Sequence, residues 1–241
     1  MTYQRSCPEV QEPACSPRSG ALRANKARAP SGQKQTRLRD RALMITVKRA
    51  VDVVGSALAL LVLWPFMLLV SCAIKLDSPG PVLFVQDRAG KAGKPFRMYK
   101  FRSMVSNAED MLPSMVDIDR LRSPAFKIEN DPRVTRVGRL LRRTSIDELP
   151  QLWNVLKGDM SLVGPRPEEM RIVNLYDEEQ RGRLAMKPGI TGPMQIDGRG
   201  ALGFEERLQK ELGYIEGFTL WGDVVILAKT LPAVVRGKGS Y

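Results

Sequence analysis

The hydrophobic pattern divides the chain into one long apolar run and a series of shorter segments that follow it. The apolar run covers residues 51–74, in which Asp52, Ser56 and Ser71 are the main polar side chains. A helix of about 20 apolar residues is long enough to cross the hydrocarbon core of a bilayer. The run therefore predicts a membrane-embedded helix, whose simplest form would be a transmembrane anchor.

Two features of this run favour a helix that enters the membrane and returns to the same side. Pro65 follows Trp64 near the middle of the run, and its missing N–H and its ring both predict a break in the helix. Basic residues flank both ends of the run, with Lys48 and Arg49 before it and Lys75, Arg88 and Lys91 after it. Positively charged flanks favour the cytoplasmic side. We therefore predict that residues 44–78 form a re-entrant helix broken at Trp64-Pro65.

The pattern from residue 79 to residue 241 predicts a mainly α domain with a small β-hairpin. Two β-like runs, 82–86 and 96–101, are joined by a glycine- and lysine-rich turn, as in a hairpin. Helical spacing or helix-end signals then occur at 134–143, at 147–157 with a stop at Gly158, from Pro167 onwards, at 204–215 and at 221–235. The last segment is apolar with few charges, so we expect it to lie at the membrane surface.

The formal net charge of +12 is concentrated in an N-terminal arm. Residues 1–41 hold 9 Lys and Arg against 3 Asp and Glu, whereas the rest of the chain holds 29 against 23. The arm, residues 1–43, shows no periodicity, and we predict that it is disordered. A transit peptide, or a true start at Met44, is the alternative. Because nucleic-acid proteins carry their excess charge on a folded face, this distribution argues against nucleic acid as a partner.

The residue types available to the chain restrict its chemistry. It has no histidine, so acid–base and nucleophilic steps must fall to carboxylates, hydroxyls or lysines. Cys7, Cys15 and Cys72 show no zinc or disulfide spacing, which is in keeping with a reducing, cytoplasm-facing site. A metal would need oxygen ligands, which favours Mg²⁺.

The adjacent carboxylates Asp147 and Glu148 are the strongest catalytic candidates. Ser145 and Glu148 fit a helix capping box, which would be a purely structural role. Pro150 would then lie inside the helix, whereas with Asp147 as the cap it falls in the first turn and is tolerated. We therefore predict that Asp147 begins a helix and is ionised. A phosphate at that helix end would lie within reach of this nucleophile.

Basic side chains near this pair predict a site for phosphate. Arg142, Arg143 and Arg166 can bind phosphate in bidentate fashion, and Arg166 belongs to the rigid turn Gly164-Pro165-Arg166-Pro167. The alternative is that the arginines of 133–143 form a helix face in contact with solvent or lipid head groups. Lys100 and Arg102, at the end of the second β-like run, are weaker candidates.

Several motifs that occur in order along the chain resemble those of one family. They are Lys48-Arg49, the broken apolar helix, Tyr99-Lys100-Phe101-Arg102-Ser103-Met104, Asn130-Asp131-Pro132-Arg133-Val134-Thr135, the block 142–167 and Lys187-Pro188-Gly189-Ile190-Thr191-Gly192. From about residue 45 to the C-terminus the chain resembles the bacterial sugar transferase family, the monotopic polyprenyl-phosphate phosphoglycosyl transferases. Pro193-Met194 depart from the pattern of many members, which affects the contacts expected with the nucleotide or the sugar.

The resemblance implies a monotopic protein of the bacterial inner (cytoplasmic) membrane whose catalytic domain faces the cytoplasm. It implies a Mg²⁺-dependent reaction in which a UDP-sugar and polyprenyl (undecaprenyl) phosphate give polyprenyl-diphospho-sugar and UMP, the initiating step of exopolysaccharide or other glycoconjugate synthesis. Asp147 matches the nucleophile, which takes the sugar phosphate covalently, and the metal ligand. Glu148 matches its partner carboxylate. The positions that match substrate-binding motifs are Lys100, Arg102, Asp159, Arg166 and Glu168.

Two other functions are consistent with parts of the sequence. A membrane-tethered basic module could bind nucleic acid or an acidic polymer, although few aromatic side chains are available for base stacking. An ordinary glycosyl transferase would move the sugar without its phosphate and release a nucleoside diphosphate. The identity of the sugar and the oligomeric state stay open.

Overall fold

The structure is a computed structural model, and it describes residues 31–115, 128, 131–197 and 203–236. The helices are α1 Ser31–Asp77, α2 Ala108–Met115, α3 Arg136–Thr144, α4 Gln151–Lys157, α5 Met170–Val173, α6 Glu178–Arg181, α7 Pro193–Asp197, α8 Phe204–Glu216 and α9 Leu220–Arg236. The strands are β1 Leu83–Ala89, β2 Pro95–Phe101, β3 Ser161–Val163 and β4 Gly189–Thr191. Short 3₁₀ turns cover Lys91–Gly93, Ile146–Glu148 and Gly182–Ala185. The prediction of a mainly helical protein with a small hairpin is confirmed.

Helix α1 differs from its prediction at its start and at Pro65. Residues 31–43 belong to the helix, so the predicted disordered arm extends too far, and its residues 1–30 lie outside the described residues. Pro65 lies inside α1, which is helical on both sides of it. The expected break at Trp64-Pro65 is thus not seen as an interruption of helical structure. A proline removes one hydrogen bond, and the neighbouring turns can still remain helical.

The middle of α1 carries its apolar side chains on the outside. Leu61, Val62 and Leu69 are each more than 65% exposed, and Trp64 is 55% exposed. Residues 40–77 form a helix long and apolar enough to cross a membrane. An exposed apolar surface of this extent is unfavourable in water and is typical of a surface that contacts a membrane or a partner.

The N-terminal part of α1 is fixed to the domain by buried polar contacts. Lys48 Nζ donates to the carbonyl of Val163 at 2.9 Å and pairs with Asp223 at 2.5 Å. Asp52 Oδ1 accepts from Ser161 Oγ at 3.1 Å and from the Leu162 N–H at 2.9 Å. These bonds hold the start of the apolar run against strand β3 and helix α9.

The C-terminal end of α1 contacts the same domain through a different set of residues. Val70 and Ile74 are buried against Phe101 and Leu141, and full burial of such a side chain stabilises by about 1.5–3 kcal/mol. Asp77 Oδ2 accepts from the Val137 N–H at 2.9 Å. Both ends of the apolar run are therefore fixed to one domain.

Two small sheets position the loops of this domain. Strands β1 and β2 pair antiparallel from Leu83 opposite Phe101 to Ala89 opposite Pro95, which confirms the predicted hairpin. Strands β3 and β4 pair parallel, with Ser161 opposite Gly189. The sequence analysis missed this second pair, because three-residue strands give too short an alternation to recognise.

Candidate active site

Asp147 lies in a 3₁₀ turn between two helices and does not cap either of them. Helix α3 ends at Ser145, whose φ of 57° is in the left-handed region, and the turn Ile146–Glu148 follows. Helix α4 begins only at Gln151, with Pro150 as its N-cap. The missing N–H of Pro150 falls at the helix start, where no intrahelical bond is lost. The prediction of Asp147 as the helix cap is therefore wrong, and so is the capping box, because Ser145 makes no side-chain cap bond.

The environment of Asp147 opposes its ionisation while nearby cations favour it. The side chain is buried at 9% exposure, and it accepts no hydrogen bond from any residue in the described part of the chain. Burial raises the pKa of Asp147 to about 6, although Lys100, Arg142 and Arg166 act in the opposite direction. The negative charge of Glu148 raises this pKa further. At neutral pH most of the carboxylate is still ionised, as a nucleophile requires.

Glu148 is held in an ion pair, in contrast to its neighbour. Lys100 Nζ lies 3.0 Å from Glu148 Oε1, and Arg166 Nη1 lies 3.9 Å from the same oxygen. Strand β2 supplies Lys100, and the turn after β3 supplies Arg166. The fold thus brings together four predicted residues from three separate segments, namely Lys100, Asp147, Glu148 and Arg166.

A depression of about 250 Å³ opens beside Glu148. We call it the Glu148 depression, and its lining includes Arg88, Lys100, Glu148, Gln151, Arg166 and Gln195. Three cationic side chains in one small concavity favour an anion, since guanidinium and ammonium groups donate charge-assisted hydrogen bonds to phosphate oxygens. The sequence analysis missed Arg88, Gln151 and Gln195, which have no pattern linking them to the carboxylate pair.

The other predicted arginines lie at different distances from the pair. Arg142 donates from Nε to Ser103 Oγ at 2.9 Å, and burial lowers its pKa while Asp147 raises it. Arg143 is exposed on α3. Arg102 is buried against the end of α1, where Nη2 donates to the Ser78 carbonyl at 2.7 Å. Arg102 therefore contacts the chain just after α1 and does not line the Glu148 depression.

Asp159 and Glu168 are also placed away from the Glu148 depression. Asp159 follows helix α4 and pairs with Lys157 at 3.0 Å. Glu168 is buried, and its Oε2 lies 3.1 Å from Arg183 Nη1 and 3.3 Å from Arg207 Nη2. Both residues make ion pairs within the protein in this structure.

A buried network fixes the backbone that carries Arg166. Glu211 Oε1 accepts from the Arg166 N–H at 2.8 Å, and Arg183 Nη2 donates to the Arg166 carbonyl at 3.2 Å. Arg183 Nη2 also lies 2.5 Å from Glu211 Oε2. The sequence analysis missed this network. Glu211 falls between the buried residues Leu208 and Ile215 of α8, and a carboxylate on the apolar face of an amphipathic helix was the available signal.

Glycines bring the Arg166 turn against strand β4. A Cβ on Gly189 would lie 2.1 Å from the Gly164 nitrogen, and a Cβ on Gly192 would lie 2.1 Å from the Gly164 oxygen. Only residues without side chains allow the two backbones to approach so closely. The position of Arg166 is thus set by both backbone packing and the buried network.

The described residues contain no cluster of three or more metal-binding side chains. Asp147 and Glu148 remain as a pair of hard oxygen donors beside the depression. Mg²⁺ often binds through one or two carboxylates together with substrate phosphates and water. The donor chemistry of this pair therefore fits the ion.

The site is thus a pair of carboxylates among cationic side chains, in a chain whose first helix is long and apolar enough to cross a membrane. The profile of the bacterial sugar transferase family matches residues 43–237. The chain belongs to the bacterial sugar transferase family.

Three relatives are similar to most of this chain. It is 42% identical over 199 residues to the undecaprenyl-phosphate galactose phosphotransferase of Salmonella typhimurium, covering 81% of this chain and 42% of that protein. It is 40% identical over 200 residues to the UDP-N-acetylgalactosamine-undecaprenyl-phosphate N-acetylgalactosaminephosphotransferase of Aeromonas hydrophila, covering 80% and 45%. It is 38% identical over 201 residues to the exopolysaccharide production protein ExoY of Rhizobium meliloti, covering 80% and 88%. The chain spans less than half the length of the first two relatives.

Proposed function

We propose that this protein transfers a sugar 1-phosphate from a UDP-sugar to undecaprenyl phosphate, releases UMP and so initiates the synthesis of a polysaccharide or other glycoconjugate. The names of the relatives support this class of reaction. The observation that carries the proposal is the buried carboxylate of Asp147 next to Glu148, whose Oε1 lies 3.0 Å from Lys100 Nζ and 3.9 Å from Arg166 Nη1. The same carboxylates would repel nucleic acid, so the basic binding module is the weaker alternative.

The reaction is proposed to run in two displacements at one phosphorus atom. An oxygen of Asp147 attacks the sugar-bearing phosphorus, the P–O bond to UMP breaks, and an aspartyl phosphosugar forms. An oxygen of the polyprenyl phosphate then attacks the same phosphorus and releases Asp147. One phosphoanhydride is broken and one is made, so the overall free-energy change is small. Two substrates that use one nucleophile in turn give ping-pong kinetics.

The residues around Asp147 have separate roles in this mechanism. Lys100 and Arg166 lie where they neutralise charge on the transferred phosphoryl group, which is the main catalytic requirement of phosphoryl transfer. Lys100 and Arg142 keep Asp147 mostly ionised at neutral pH in spite of its burial. Asp147, with Glu148 beside it, would hold Mg²⁺ together with the donor's diphosphate. When bound, the ion would neutralise charge on the leaving nucleotide.

We also propose that α1 is re-entrant and that both its ends face the cytoplasm at the inner membrane. Arg49 donates to the carbonyls of Val155 and Leu156 at 2.6 and 2.9 Å, and Asp77 accepts from Val137. Arg49 and Asp77 are 28 residues apart, about 42 Å along a straight helix, which exceeds the hydrocarbon thickness of about 30 Å. A spanning helix would separate the two ends, whereas one domain contacts both. This supports a helix that turns back.

The nucleophile is tested by following the released nucleotide. Asp147→Asn should abolish UMP release from a labelled UDP-sugar, whereas Asp87→Asn, on the exposed face of β1, should retain full activity. Full activity in the Asp147 variant would remove the basis of the covalent mechanism. Release of UDP by the wild type would instead identify a glycosyl transferase that moves the sugar alone.

The membrane topology is tested by cysteine labelling in intact and permeabilised cells. Ala42 and Leu76 are exposed positions near the two ends of the apolar run, so single cysteines there report the side on which each end lies. Cys7, Cys15 and Cys72 are replaced by serine beforehand. Labelling of both positions from the cytoplasm only is expected, and labelling from opposite sides would show that the helix spans the membrane.

A further inference from the structure

Gln195, on the short helix α7, lines the Glu148 depression with a buried side-chain amide that has no hydrogen-bond partner among the described residues. It is 9% exposed, and it lines the depression together with Lys100, Glu148 and Arg166. Both its Nε2 and its Oε1 are buried without a hydrogen-bond partner in the described part of the chain. The amide nitrogen, a donor, and the amide oxygen, an acceptor, therefore lack partners in the wall of the depression.

A second buried amide shows what a structural role looks like in this protein. Asn154 is 0% exposed, and its Oδ1 accepts from the Tyr99 N–H at 3.0 Å while its Nδ2 donates to the Arg97 carbonyl at 2.7 Å. Buried polar groups of folded proteins are nearly always paired in this way, because an unpaired one costs stability. The unpaired state of Gln195 is therefore better suited to a ligand than to the fold.

The two unused groups define the chemistry of the missing partner. Phosphate oxygens only accept hydrogen bonds, so a phosphate would satisfy Nε2 and repel Oε1. Phosphate oxygens can instead accept hydrogen bonds from Arg88, Lys100 and Arg166, which line the same depression. The carboxamide instead matches an uncharged group that offers a donor and an acceptor side by side. Two parts of a UDP-sugar do so, the imide edge of uracil and the hydroxyl groups of the sugar.

We propose that Gln195 is a specificity-determining residue that binds the uncharged part of the nucleotide-sugar, through one donated and one accepted hydrogen bond. The proposal rests on the proposed function only in taking a UDP-sugar as the donor substrate. It does not depend on Asp147 being the nucleophile, and it is therefore tested by equilibrium binding in chains that also carry Asp147→Asn, in which the proposed covalent step cannot occur.

The test compares Gln195→Met with Gln209→Met in the purified full chain in detergent. Methionine has about the length of glutamine but lacks its donor and acceptor, and Gln209 is an exposed residue of α8. Dissociation constants are measured for UMP, UDP-glucose, UDP-galactose and inorganic pyrophosphate, and the thermal midpoint is measured without ligand. We expect Gln195→Met to raise the dissociation constant of at least one UDP-sugar about tenfold. The dissociation constant of pyrophosphate and the thermal midpoint should be unchanged. Gln209→Met should change none of these values.

The pattern across ligands identifies which part of the donor Gln195 contacts. An equal loss of affinity for UMP and for the UDP-sugars supports contact with uracil. A loss of affinity for a UDP-sugar, with unchanged affinity for UMP, supports contact with the sugar. Unchanged affinity for all four ligands, or a lower thermal midpoint with unchanged affinities, would overturn the proposal. A wild-type protein that binds neither UMP nor either UDP-sugar would instead contradict the proposed function, which is a distinct result.

Discussion

Two of the buried carboxylate groups in the described part of the chain have opposite environments. Glu168 and Glu211 surround Arg183, and every one of these side chains is at least 90% buried and ion-paired. Asp147 is buried to a similar degree, but its cations act at longer range and it accepts no hydrogen bond from the residues that the structure describes. The Arg183 group fixes the backbone of Arg166. The carboxylate of Asp147 is instead left available for reaction.

The difference shows how charge is divided between stability and function in this fold. In the Arg183 network, the energy of opposite charges at close range offsets the desolvation that burial imposes. Around Asp147 desolvation outweighs the nearby cations, as the direction of its pKa shift indicates. A strongly shifted acid beside a concave cationic surface is a common property of catalytic sites. The Arg183 network fixes the backbone of Arg166, whose guanidinium lies beside Glu148.

The largest expected effect comes from breaking the Arg183 network. Arg183→Met would leave Glu211, which is 0% exposed, and Glu168 buried without this cation. Loss of one partner from a buried ion pair costs about 3–5 kcal/mol, so the free energy of unfolding should fall by that amount in denaturant titrations. Arg181→Met, two residues earlier and exposed, is the matched control and should cost about 1 kcal/mol or less. Equal losses of unfolding free energy in the two variants would mean that the buried network stabilises the fold no more than an exposed arginine does.

An effect of the opposite sign is expected at Asp147. Its pKa is raised from 3.8 to about 6 in the folded protein. The contribution of the protonated side chain to the free energy of unfolding is therefore lost as pH rises from about 4 through 6. Asp147→Asn removes this cost. It should raise the free energy of unfolding at pH 8 by up to about 3 kcal/mol, with no difference from wild type below pH 4. The check is denaturant unfolding at both pH values. A variant less stable than wild type at pH 8 would show that the cations outweigh burial.

The sequence predicted the elements whose signals are local. The hairpin, the amphipathic helix at 204–215 and the stop at Gly158 all follow from alternation, helical spacing or a left-handed glycine, and Gly158 has a φ of 97°. The cap at Asp147 was mispredicted because Ser145 adopts a left-handed conformation, which glycine or asparagine would have signalled and serine does not. Local rules therefore fail at this turn, where Ile146 and Leu149 pack against the buried cluster that contains Phe101.

The candidate site was predicted in part, for a related reason. Asp147, Glu148, Lys100 and Arg166 were selected by residue type and motif, and the fold brings them together. Arg183 and Glu211 were missed because their roles depend on contacts between segments distant in sequence. A single sequence shows which residues can do chemistry, but the residues that hold them in place appear only when the chain is folded.

The smallest expected effect tests the coupling within the carboxylate pair itself. Activity should fall below pH 6 as Asp147 becomes protonated, and the charge of Glu148 contributes to this pKa. Glu148→Gln removes that charge and leaves Lys100 free of its 3.0 Å ion pair, so both changes lower the pKa of Asp147. The acid limb of kcat/KM for a UDP-sugar should then move to lower pH by about one unit or less, whatever the change in maximal rate. Glu179→Gln, exposed on α6, should leave the limb unchanged. An acid limb at the same pH in Glu148→Gln would mean that the group titrating near pH 6 is not Asp147, because no other acid of the site is adjacent to Glu148 in the described structure.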